Sequence, residues 1–552
     1  MIAALAFLFS YVRYRFLPIV VIAFGVVVTF GIMVMADLPV STPVIGSFPV
    51  IIGLGIDYAV QFHSRFNEEV TDKSVPDAVY AMLTKSGPVH LVAMCTTMIG
   101  FLALLFTPIP MIAHFGSACI IGVVSSFAIA LILLPVFFLI KGYNSKDSCR
   151  RFENKASKKS QGASLMGKYD RFLGNFAEKM ARHAVIVILI FGFIAVVGIN
   201  FNNDVGINVD RNTFVPSDMP AKIYNDKVKN LIGSPTTFPV LISGDYITSP
   251  DVLEWSESFS EYTMQKHPEI TGYKSIATLI KQYDGGVLPK TAYETKEILE
   301  GIPDENKNRY LDGNIRSVIE FETTNIDMKG YSSLLTGISD DIEWYAPPPG
   351  ITAVPTGSGQ LNGYFYENIL SSQSLMTIAA LLMIFIFMLL VYRRFLSLAP
   401  MIPVIMIVGW NALIMYILGI EYTPLTACLG SMTIGLAMDY TILIMERCEE
   451  EMDKGEDLYF AIRTGVQKIG SAITISGVTT LLGFSAMITS DFSLVSMFGQ
   501  TTVITILFSL IGGIAVMPAV VAIVYRNRIK NYGNKSKMIP EKEKNSDLPC
   551  LG

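Results

Sequence analysis

The sequence predicts a polytopic α-helical membrane protein, a duplicated bundle of about 11 transmembrane helices with one α+β domain on its outer side. Three observations predict this fold class: the composition, a series of long apolar runs, and an internal repeat. Of the 552 residues, 51% are hydrophobic and 16% are charged. A soluble globular protein carries about 25% charged residues, so the composition is typical of a membrane protein.

Apart from the first, the apolar runs are about 17 to 32 residues long, enough to cross a hydrocarbon core of about 30 Å. The first run is short and incomplete. The runs lie near positions 1–12, 17–36, 44–66, 87–107, 112–140, 184–200, 373–392, 398–419, 424–446, 469–489 and 494–525.

Basic residues predict how the chain is oriented. They fall in alternate loops, as at Arg13, Arg393 and Arg526, whereas the short loops between them contain no Lys or Arg. The positive-inside rule places the basic loops and the C-terminus in the cytoplasm. We therefore expect a multi-pass protein of the cytoplasmic membrane of the cell, with residues 201–372 extracytoplasmic.

Two halves of the chain repeat each other. "GLGIDYAVQFHSRFNEE", from Gly53, matches "GLAMDYTILIMERCEEE", from Gly435, 382 positions later. "TTMIGFLAL" at Thr96 then aligns with "TTLLGFSAM" at Thr479. The pattern indicates a parallel duplication. A complete repeat consists of one helix, a large outer domain and then five helices.

The first copy lacks its leading helix and outer domain, and Met1 aligns inside a span. We expect either a truncated form of a longer protein or a missing N-terminal half that is a separate chain. The predicted parts are helices of the first repeat (1–140), a cytoplasmic linker (141–183), one helix (184–200), the outer domain (201–372), helices of the second repeat (373–526) and a cytoplasmic tail (527–552).

The repeated motif places Asp57 and Asp439 inside the membrane. A charged side chain at mid-bilayer costs about 2.5–3.5 kcal/mol, so two at equivalent positions need an explanation. The repeat symmetry predicts that their helices are neighbours. The carboxylates would then face each other, or face Tyr440 and Tyr58, across a shared interior.

Burial disfavours the charged form of a carboxyl group, and a second carboxylate nearby disfavours it further. Asp57 and Asp439 are therefore candidates to exchange protons near physiological pH. The hydroxyls of Tyr58 and Tyr440 can hydrogen-bond either protonation state. Protonation would bias helix packing and so connect proton flow to movement. A sodium-coupled version and two inert interhelical hydrogen-bond formers remain as alternatives.

Three polar residues are candidates to support this site. Thr97 and Thr480 either bridge to the acids or bond to their own backbone carbonyls, and Gln61 shares the helix face of Asp57. Arg65 and Arg447 are expected to anchor helix ends at the membrane interface. Small residues permit close helix approach at the motif, namely Gly53, Gly55, Gly435 and Ala437.

The outer domain is predicted to be a small α+β sandwich. The predicted strands are "TTFPVLISGD", "IRSVIEFETT" and "ITAVPTGSG", and the predicted helices are residues 251–266 and "YSSLLTGISDDIEW".

Several function classes are not expected. The net charge of −5 and the absence of basic clusters interleaved with aromatics argue against nucleic acid as a partner. The six cysteines form no CxxC pair, so neither a disulfide framework nor a metal site is expected. The sequence shows no nucleophile–base set and no P-loop, so we expect no enzyme, no ATP-driven pump and no cofactor.

The paired motifs resemble those of the resistance–nodulation–division (RND) superfamily, and the Asp-Tyr pairs resemble its MMPL branch of hydrophobe and amphiphile exporters. Related motifs occur in sterol-sensing domains. The resemblance covers nearly the whole chain, as helices two to twelve of twelve, with a porter-like outer domain. It implies export of lipids or other hydrophobic molecules driven by the proton-motive force. Asp57, Tyr58, Asp439 and Tyr440 would form the proton relay.

The partners implied are membrane lipids or a hydrophobic substrate, together with protons. Two other functions remain as alternatives. The first is a sterol-sensing-like regulatory or scaffold protein that binds lipid without pumping. The second is a protein-translocation accessory of the same superfamily.

Overall fold

The structure is a computed structural model that describes residues 14–536, apart from 15, 71–72, 142–160, 210–213, 217, 233–235 and 325–327. The predicted span at 1–12 and the end of the predicted tail, 537–552, lie outside the described residues. The chain divides into two compact units. One comprises 1–206 with 372–552, and the other comprises 207–371.

The first unit is helical, and within its described residues ten segments are long and apolar enough to cross a membrane. The first-repeat helices are α1 (Leu17–Met35), α2 (Thr42–Glu69), α3 (Val75–Ala81), α4 (Gly87–Leu102) and α5 (Pro110–Lys141). Helices α6 (Gln161–Arg182) and α7 (Ala184–Phe201) follow. The second-repeat helices are α14 (Ser358–Tyr392), α15 (Met401–Leu418), α16 (Leu429–Met452), α17 (Leu458–Ile488), α18 (Ser493–Ile511) and α19 (Met517–Ser536), with a π-helical turn at Gly512–Val516.

Local sequence explains several helix boundaries. Pro18 and Pro88 stand in the first turns of α1 and α4, where a missing N–H costs nothing. Gly419 ends α15 with φ +65°, a left-handed conformation that glycine adopts without strain. These signals set the ends of the spans near the predicted positions.

The motif helix of each repeat packs against a helix of the other repeat. The motif helix of the first repeat, α2, packs against α17 of the second repeat. The motif helix of the second repeat, α16, packs against α4 of the first repeat. This arrangement brings the two copies of the motif toward one shared interior, as the duplication predicts.

Helix α6 covers the second part of the predicted linker, where no helix was expected. It packs against α17 and α19, and the Tyr169 hydroxyl donates to Thr474 Oγ1 at 3.1 Å. Its apolar residues alternate with charged ones at helical spacing, so only one face can be buried.

The second unit is an α+β domain built on an antiparallel sheet with the strand order β2–β4–β1–β5 and with β3 paired to β4. The strands are β1 (Thr236–Gly244), β2 (Ile270–Lys274), β3 (Leu311–Asp312), β4 (Arg316–Thr323) and β5 (Ile351–Pro355). The helices are α8 (Pro220–Ile232), α9 (Pro250–Lys266), α10 (Ile276–Tyr283), α11 (Ala292–Gly301), α12 (Asp304–Tyr310) and α13 (Met328–Trp344).

The core of this unit lies between the sheet and its helices. In β1, Leu241 pairs with Val318 on one side and with Val354 on the other. Phe238, Phe259 and Phe321 are fully buried in the core. Strands β2 and β3 were not predicted, because β2 contains Gly272, which weakens a strand pattern, and β3 is only two residues long.

Candidate functional site

The four predicted relay residues lie in the interior of the bundle. Asp57 and Tyr58 are on α2, Asp439 and Tyr440 are on α16, and each is at most 4% exposed. A buried polar group requires hydrogen-bond partners, so the surroundings of the two carboxyl groups determine what they can do.

Asp57 is held by three hydroxyl groups from the second repeat. Its Oδ1 accepts hydrogen bonds from Ser476 Oγ and from Thr480 Oγ1, the latter at 2.9 Å. Its Oδ2 accepts a hydrogen bond from the Tyr440 hydroxyl at 3.0 Å. All three donors are neutral, so the site can accommodate either the carboxylate or the carboxylic acid.

Asp439 is held from the first repeat. Its Oδ1 accepts a hydrogen bond from Thr97 Oγ1 at 2.8 Å. The Thr97 hydroxyl is also 3.3 Å from the Gly435 carbonyl oxygen, and the Thr480 hydroxyl is 3.1 Å from that of Gly53. Each threonine therefore bridges to the motif helix of the opposite repeat.

Neighbouring threonines show that this bridging is selective. Thr96 and Thr479 each precede a bridging threonine, and both donate to carbonyls of their own helices, those of Ala93 and Ile475. Both modes of bonding considered in the sequence analysis therefore occur. The inward-facing threonine of each pair reaches a carboxyl group.

The two halves of the site are not equal. Ser476 has Ala93 at its equivalent position, 383 residues earlier, so Asp439 has no matching serine donor. The buried Tyr58 hydroxyl makes no hydrogen bond of ordinary geometry with the described residues, and its ring lies edge-on to Phe127 at 5.5 Å. Asp57 thus has three donors and Asp439 one, and the charged form of Asp439 has less support.

The glycines of the motif allow the threonine bridges to form. A Cβ at Gly53 would lie 2.9 Å from Thr480 Cγ2, and one at Gly435 would lie 3.1 Å from Thr97 Cα. Gly55 instead faces Ser126 of α5, where a Cβ would be 3.0 Å from Oγ. Gly55 therefore packs within the first repeat, away from the carboxyl groups, whereas Ala437 is fully buried in the apolar core of the second repeat.

A cavity of about 420 Å³ opens beside the C-terminal ends of α2 and α16. Gln61, one helical turn beyond Asp57, lines this cavity and does not donate to Asp57. Charged residues dominate the remaining wall, and we call this space the charged cavity. Its charged residues are Arg65, Glu68, Lys85, Glu446, Arg447, Glu450, Lys454 and Lys468.

Reciprocal ion pairs cross between the repeats at the charged cavity. Arg447 pairs with Glu68 of the first repeat, and Arg65 lies 3.6 Å from Glu450 of the second. Each arginine also pairs with the glutamate three residues after it in its own helix. Arg65 and Arg447 were expected only to anchor helix ends, but they link the two repeats.

Sequence reasoning missed Ser476 and these cross-repeat ion pairs. Ser476 stands four residues before Thr480 on the same helix, and that spacing places both hydroxyls on one face. This signal was present in the sequence. The ion-pair partners of Arg65 and Arg447 depend on how the helices cross. The sequence of a single helix does not show this crossing.

Within the described residues, no group of three or more His, Cys, Asp or Glu side chains is placed to hold a metal ion. The site is therefore a buried pair of carboxyl groups with neutral hydroxyl donors. Such a site can hold and release protons.

The fold and the site together define a class of polytopic membrane proteins with two homologous helical halves. A crystal structure of SecDF in its super-membrane-facing form has a similar fold, with a TM-score of 0.54, 13% sequence identity, and coverage of 97% of this chain and 62% of that chain. The family model described as the MMPL family matches residues 2–163 and 312–542. The chain belongs to the MMPL family.

Individual relatives match over shorter regions. MJ1562, a membrane protein of Methanocaldococcus jannaschii, is 28% identical over 261 residues, 47% of this chain and 67% of that protein. The probable transport protein MmpL12 of Mycobacterium tuberculosis is 26% identical over 98 residues, 18% of this chain and 9% of that protein. The protein translocase subunit SecD of Synechocystis is 37% identical over 79 residues, 14% of this chain and 17% of that protein.

Proposed function

We propose that this chain is the membrane-embedded part of a secondary transporter driven by the proton-motive force. It exports lipids or other hydrophobic or amphiphilic molecules across the cytoplasmic membrane. Membership of the MMPL family and the similarity to a transport protein support a transport role. The chemistry of the buried site supports protons as the driving ion.

One observation carries the proposal: each buried carboxyl group is hydrogen-bonded by hydroxyls of the opposite repeat. When Asp57 is charged, it accepts from Ser476, Thr480 and Tyr440. When it is protonated, its own O–H becomes a donor and the stronger charge-assisted bonds are lost. Because these bonds join α2 to α16 and α17, a proton changes the interaction between the two repeats.

The charged cavity supports a proton route on the predicted cytoplasmic side. It lies at the C-terminal ends of both motif helices. Gln61, which lines the cavity, is one helical turn from Asp57. The ion pairs of Arg447 with Glu68 and of Arg65 with Glu450 join the repeats at this end. Movement between the repeats would change the size of this opening.

Reconstitution of the full chain into liposomes tests the proposal. An acid interior or exterior is imposed, and the movement of a fluorescent amphiphile between leaflets and the proton flux are measured together. We expect Asp57→Asn and Asp439→Asn to abolish both fluxes. Thr479→Val is the matched control, since the Thr479 hydroxyl bonds only to its own helix, and it should leave both fluxes intact. Amphiphile movement that ignores both asparagine variants would contradict the proposal.

A second candidate is a proton-driven accessory role in protein translocation. The match to SecD and the fold shared with SecDF favour it. The same liposomes distinguish the two functions. An exporter of amphiphiles moves the fluorescent probe without any polypeptide present, whereas a translocation accessory changes only the passage of a polypeptide caught in a translocation channel.

A further inference from the structure

A row of buried hydroxyl groups begins just before α16 and continues along one face of that helix, on the side away from the charged cavity. Thr426, Thr433 and Tyr440 recur every seven residues. Thr433 and Tyr440 lie on α16, two helical turns or about 10.5 Å apart, and Thr426 lies in the 3₁₀ turn just before this helix. Thr426 and Thr433 are at most 1% exposed. Only the last of the three belongs to the site described above, where its hydroxyl donates to Asp57.

Asn411 of α15 joins this row to α18. Its Nδ2 donates to Thr433 Oγ1 at 3.1 Å and to Thr505 Oγ1 at 3.0 Å, and the two threonine oxygens are 3.5 Å apart. Asn411 is 8% exposed, and its Oδ1 has no hydrogen-bond partner among the described residues. A buried amide oxygen without a hydrogen-bond partner destabilises the fold unless a water molecule or an ion binds to it.

The row continues along α18 toward the relay. Ser509, one turn beyond Thr505, is fully buried and donates to the Thr505 carbonyl oxygen at 2.7 Å. Gly513, the next residue at this spacing, lies against Tyr440, so a Cβ there would be 3.4 Å from Tyr440 Cβ. Gly513 stands in the π-helical turn Gly512–Val516, a deformation that often marks functional sites.

The first repeat serves as an internal comparison, because the same helices pack there with a serine at the position of Ser509, Ser126, but without three of the other hydroxyls. Val44 and Ile51 stand at the positions equivalent to Thr426 and Thr433, and Gly122 at the position of Thr505. Ile51 fills the space over Gly122, where a Cβ would be only 2.2 Å from Ile51 Cγ1. Residues 129–133, equivalent to the π-helical turn, are regular α-helix. The packing of the fold therefore does not require hydroxyls at the positions of Thr426, Thr433 and Thr505.

We propose that this row is the route by which protons reach Tyr440 and Asp57 from the end of the bundle opposite the charged cavity. The route runs through the second repeat alone, and Asn411 Oδ1 binds a water molecule within it. Water molecules bridge the gaps between these hydroxyls, since Thr433 and Tyr440 are two helical turns apart and the Ser509 hydroxyl donates to a backbone carbonyl oxygen. At each step a hydroxyl or water oxygen accepts one proton and passes its own proton onward, so that no group changes its net charge after transfer. This inference rests on the proposed function.

The double variant Thr433→Val with Thr505→Val tests the route, because valine keeps the shape of threonine and removes the hydroxyl. Proton uptake by the full chain is measured in liposomes containing a pH-sensitive dye, with the amphiphile present. We expect uptake to slow by about tenfold, the effect of losing a buried hydrogen-bonded step. The equilibrium titration of the buried carboxyl groups, followed by infrared absorption, should not change. The hydroxyl-retaining variant Thr433→Ser with Thr505→Ser should restore uptake.

Thr502→Val is the matched control. The Thr502 hydroxyl is equally buried on α18 but donates only to the Phe498 carbonyl of its own helix. Uptake at the wild-type rate in the double valine variant, while Asp57→Asn still abolishes it, would overturn the route and leave the proposed function standing. Uptake that requires sodium would overturn it in favour of a cation site at Asn411. If wild-type uptake does not depend on Asp57, the proposed function fails, and the route fails with it.

Discussion

Asp57 and Asp439 occupy equivalent positions in two copies of one motif, yet their surroundings differ. The difference has two sources: Ser476 stands where the other repeat has Ala93, and Tyr440 donates to Asp57 whereas its counterpart Tyr58 does not donate to Asp439. Asp57 has two oxygens occupied by hydroxyl donors, and Asp439 has one donor, Thr97. A duplicated bundle has thus acquired two carboxyl groups whose charged forms receive unequal hydrogen-bond support.

Ser476→Ala removes one of the three donors to Asp57 and leaves the other two in place. The charged form of Asp57 loses support, so the carboxyl group should retain its proton to higher pH. We expect the pH at which transport is half-maximal to rise by roughly one unit, since a hydrogen bond to a charged group contributes about 1.5 kcal/mol or more. The measurement is the pH dependence of amphiphile flux.

Ser485→Ala is the control for this change, because the Ser485 hydroxyl on the same helix donates only to the Leu481 carbonyl. Its pH profile should match that of the wild type. A profile unchanged by Ser476→Ala would show that this hydroxyl does not support the charge of Asp57.

At the scale of helices, the ion pairs at the charged cavity should hold the two repeats together. The Arg447 side chain is 6% exposed and Glu68 is 42% exposed, so the pair is only partly screened by solvent. A double-mutant cycle with Arg447→Gln and Glu68→Gln should give a coupling energy of about 0.5–1 kcal/mol. The measurement is thermal unfolding in detergent.

The weaker pair provides the comparison. Arg65 and Glu450 are 3.6 Å apart, so the cycle on this pair should give a smaller coupling energy. Equal coupling in both cycles, or none in the first, would contradict a closed arrangement at this end of the bundle.

The crossing of α16 and α4 depends on Gly435. A Cβ there would be 3.1 Å from the Thr97 backbone, whereas one at Gly483 of α17 would meet no atom within 4 Å. Gly435→Ala should therefore destabilise the bundle by about 1–3 kcal/mol and disturb the bond from Thr97 to Asp439. Gly483→Ala should be neutral or slightly stabilising, because alanine favours a helix. Thermal unfolding of both variants in detergent tests this, and equal effects would exclude a tight crossing at Gly435.

The elements of the bundle were predictable because each one carries its own signal. Apolar runs predicted the spans, and prolines such as Pro88 mark their starts. Helix α6 escaped prediction because polar residues such as Lys168 and Asp170 dominate its composition, and its apolar residues form a face only when wound into a helix. Strand β2 escaped because it contains Gly272, which weakens a strand pattern.

Much of the site was also predictable, because its residues occur at equivalent positions in both repeats. The motif gave Asp57 and Asp439, and the reciprocal positions of Thr97 and Thr480 followed from the same alignment. The inequality between the two acids was not anticipated, since it depends on Ser476 and on the orientation of Tyr58. Orientation of a side chain depends on tertiary packing, which a repeat alignment cannot supply.

At the scale of the whole molecule, the two compact units should respond separately to mutation. In the α+β unit, Asp341 is fully buried, and it binds Lys266 and His267, the latter at 2.8 Å. The hydrogen bond to Asp341 raises the pKa of Lys266. This cluster ties the end of α9 to α13.

Asp341→Asn removes the charge that pairs with Lys266 and weakens the hydrogen bond with His267, and it should destabilise the α+β unit by about 2 kcal/mol. The chain has three tryptophans, Trp255 and Trp344 in this unit and Trp410 in the bundle. In variants that keep only one tryptophan, unfolding is followed by tryptophan fluorescence. The unfolding midpoint of the variant with Trp255 should move to lower denaturant concentration. The unfolding reported by Trp410 should stay unchanged, and an equal shift in both would contradict separate units.

The most direct test of the account is an infrared titration of the two buried aspartates in the reconstituted full chain. The carbonyl absorption of a carboxylic acid appears only when the group is protonated. We predict a band that rises and falls across the physiological pH range, and that Asp57→Asn and Asp439→Asn each remove part of it. A band that stays constant over this range, or one that both variants leave intact, would show that these acids do not exchange protons.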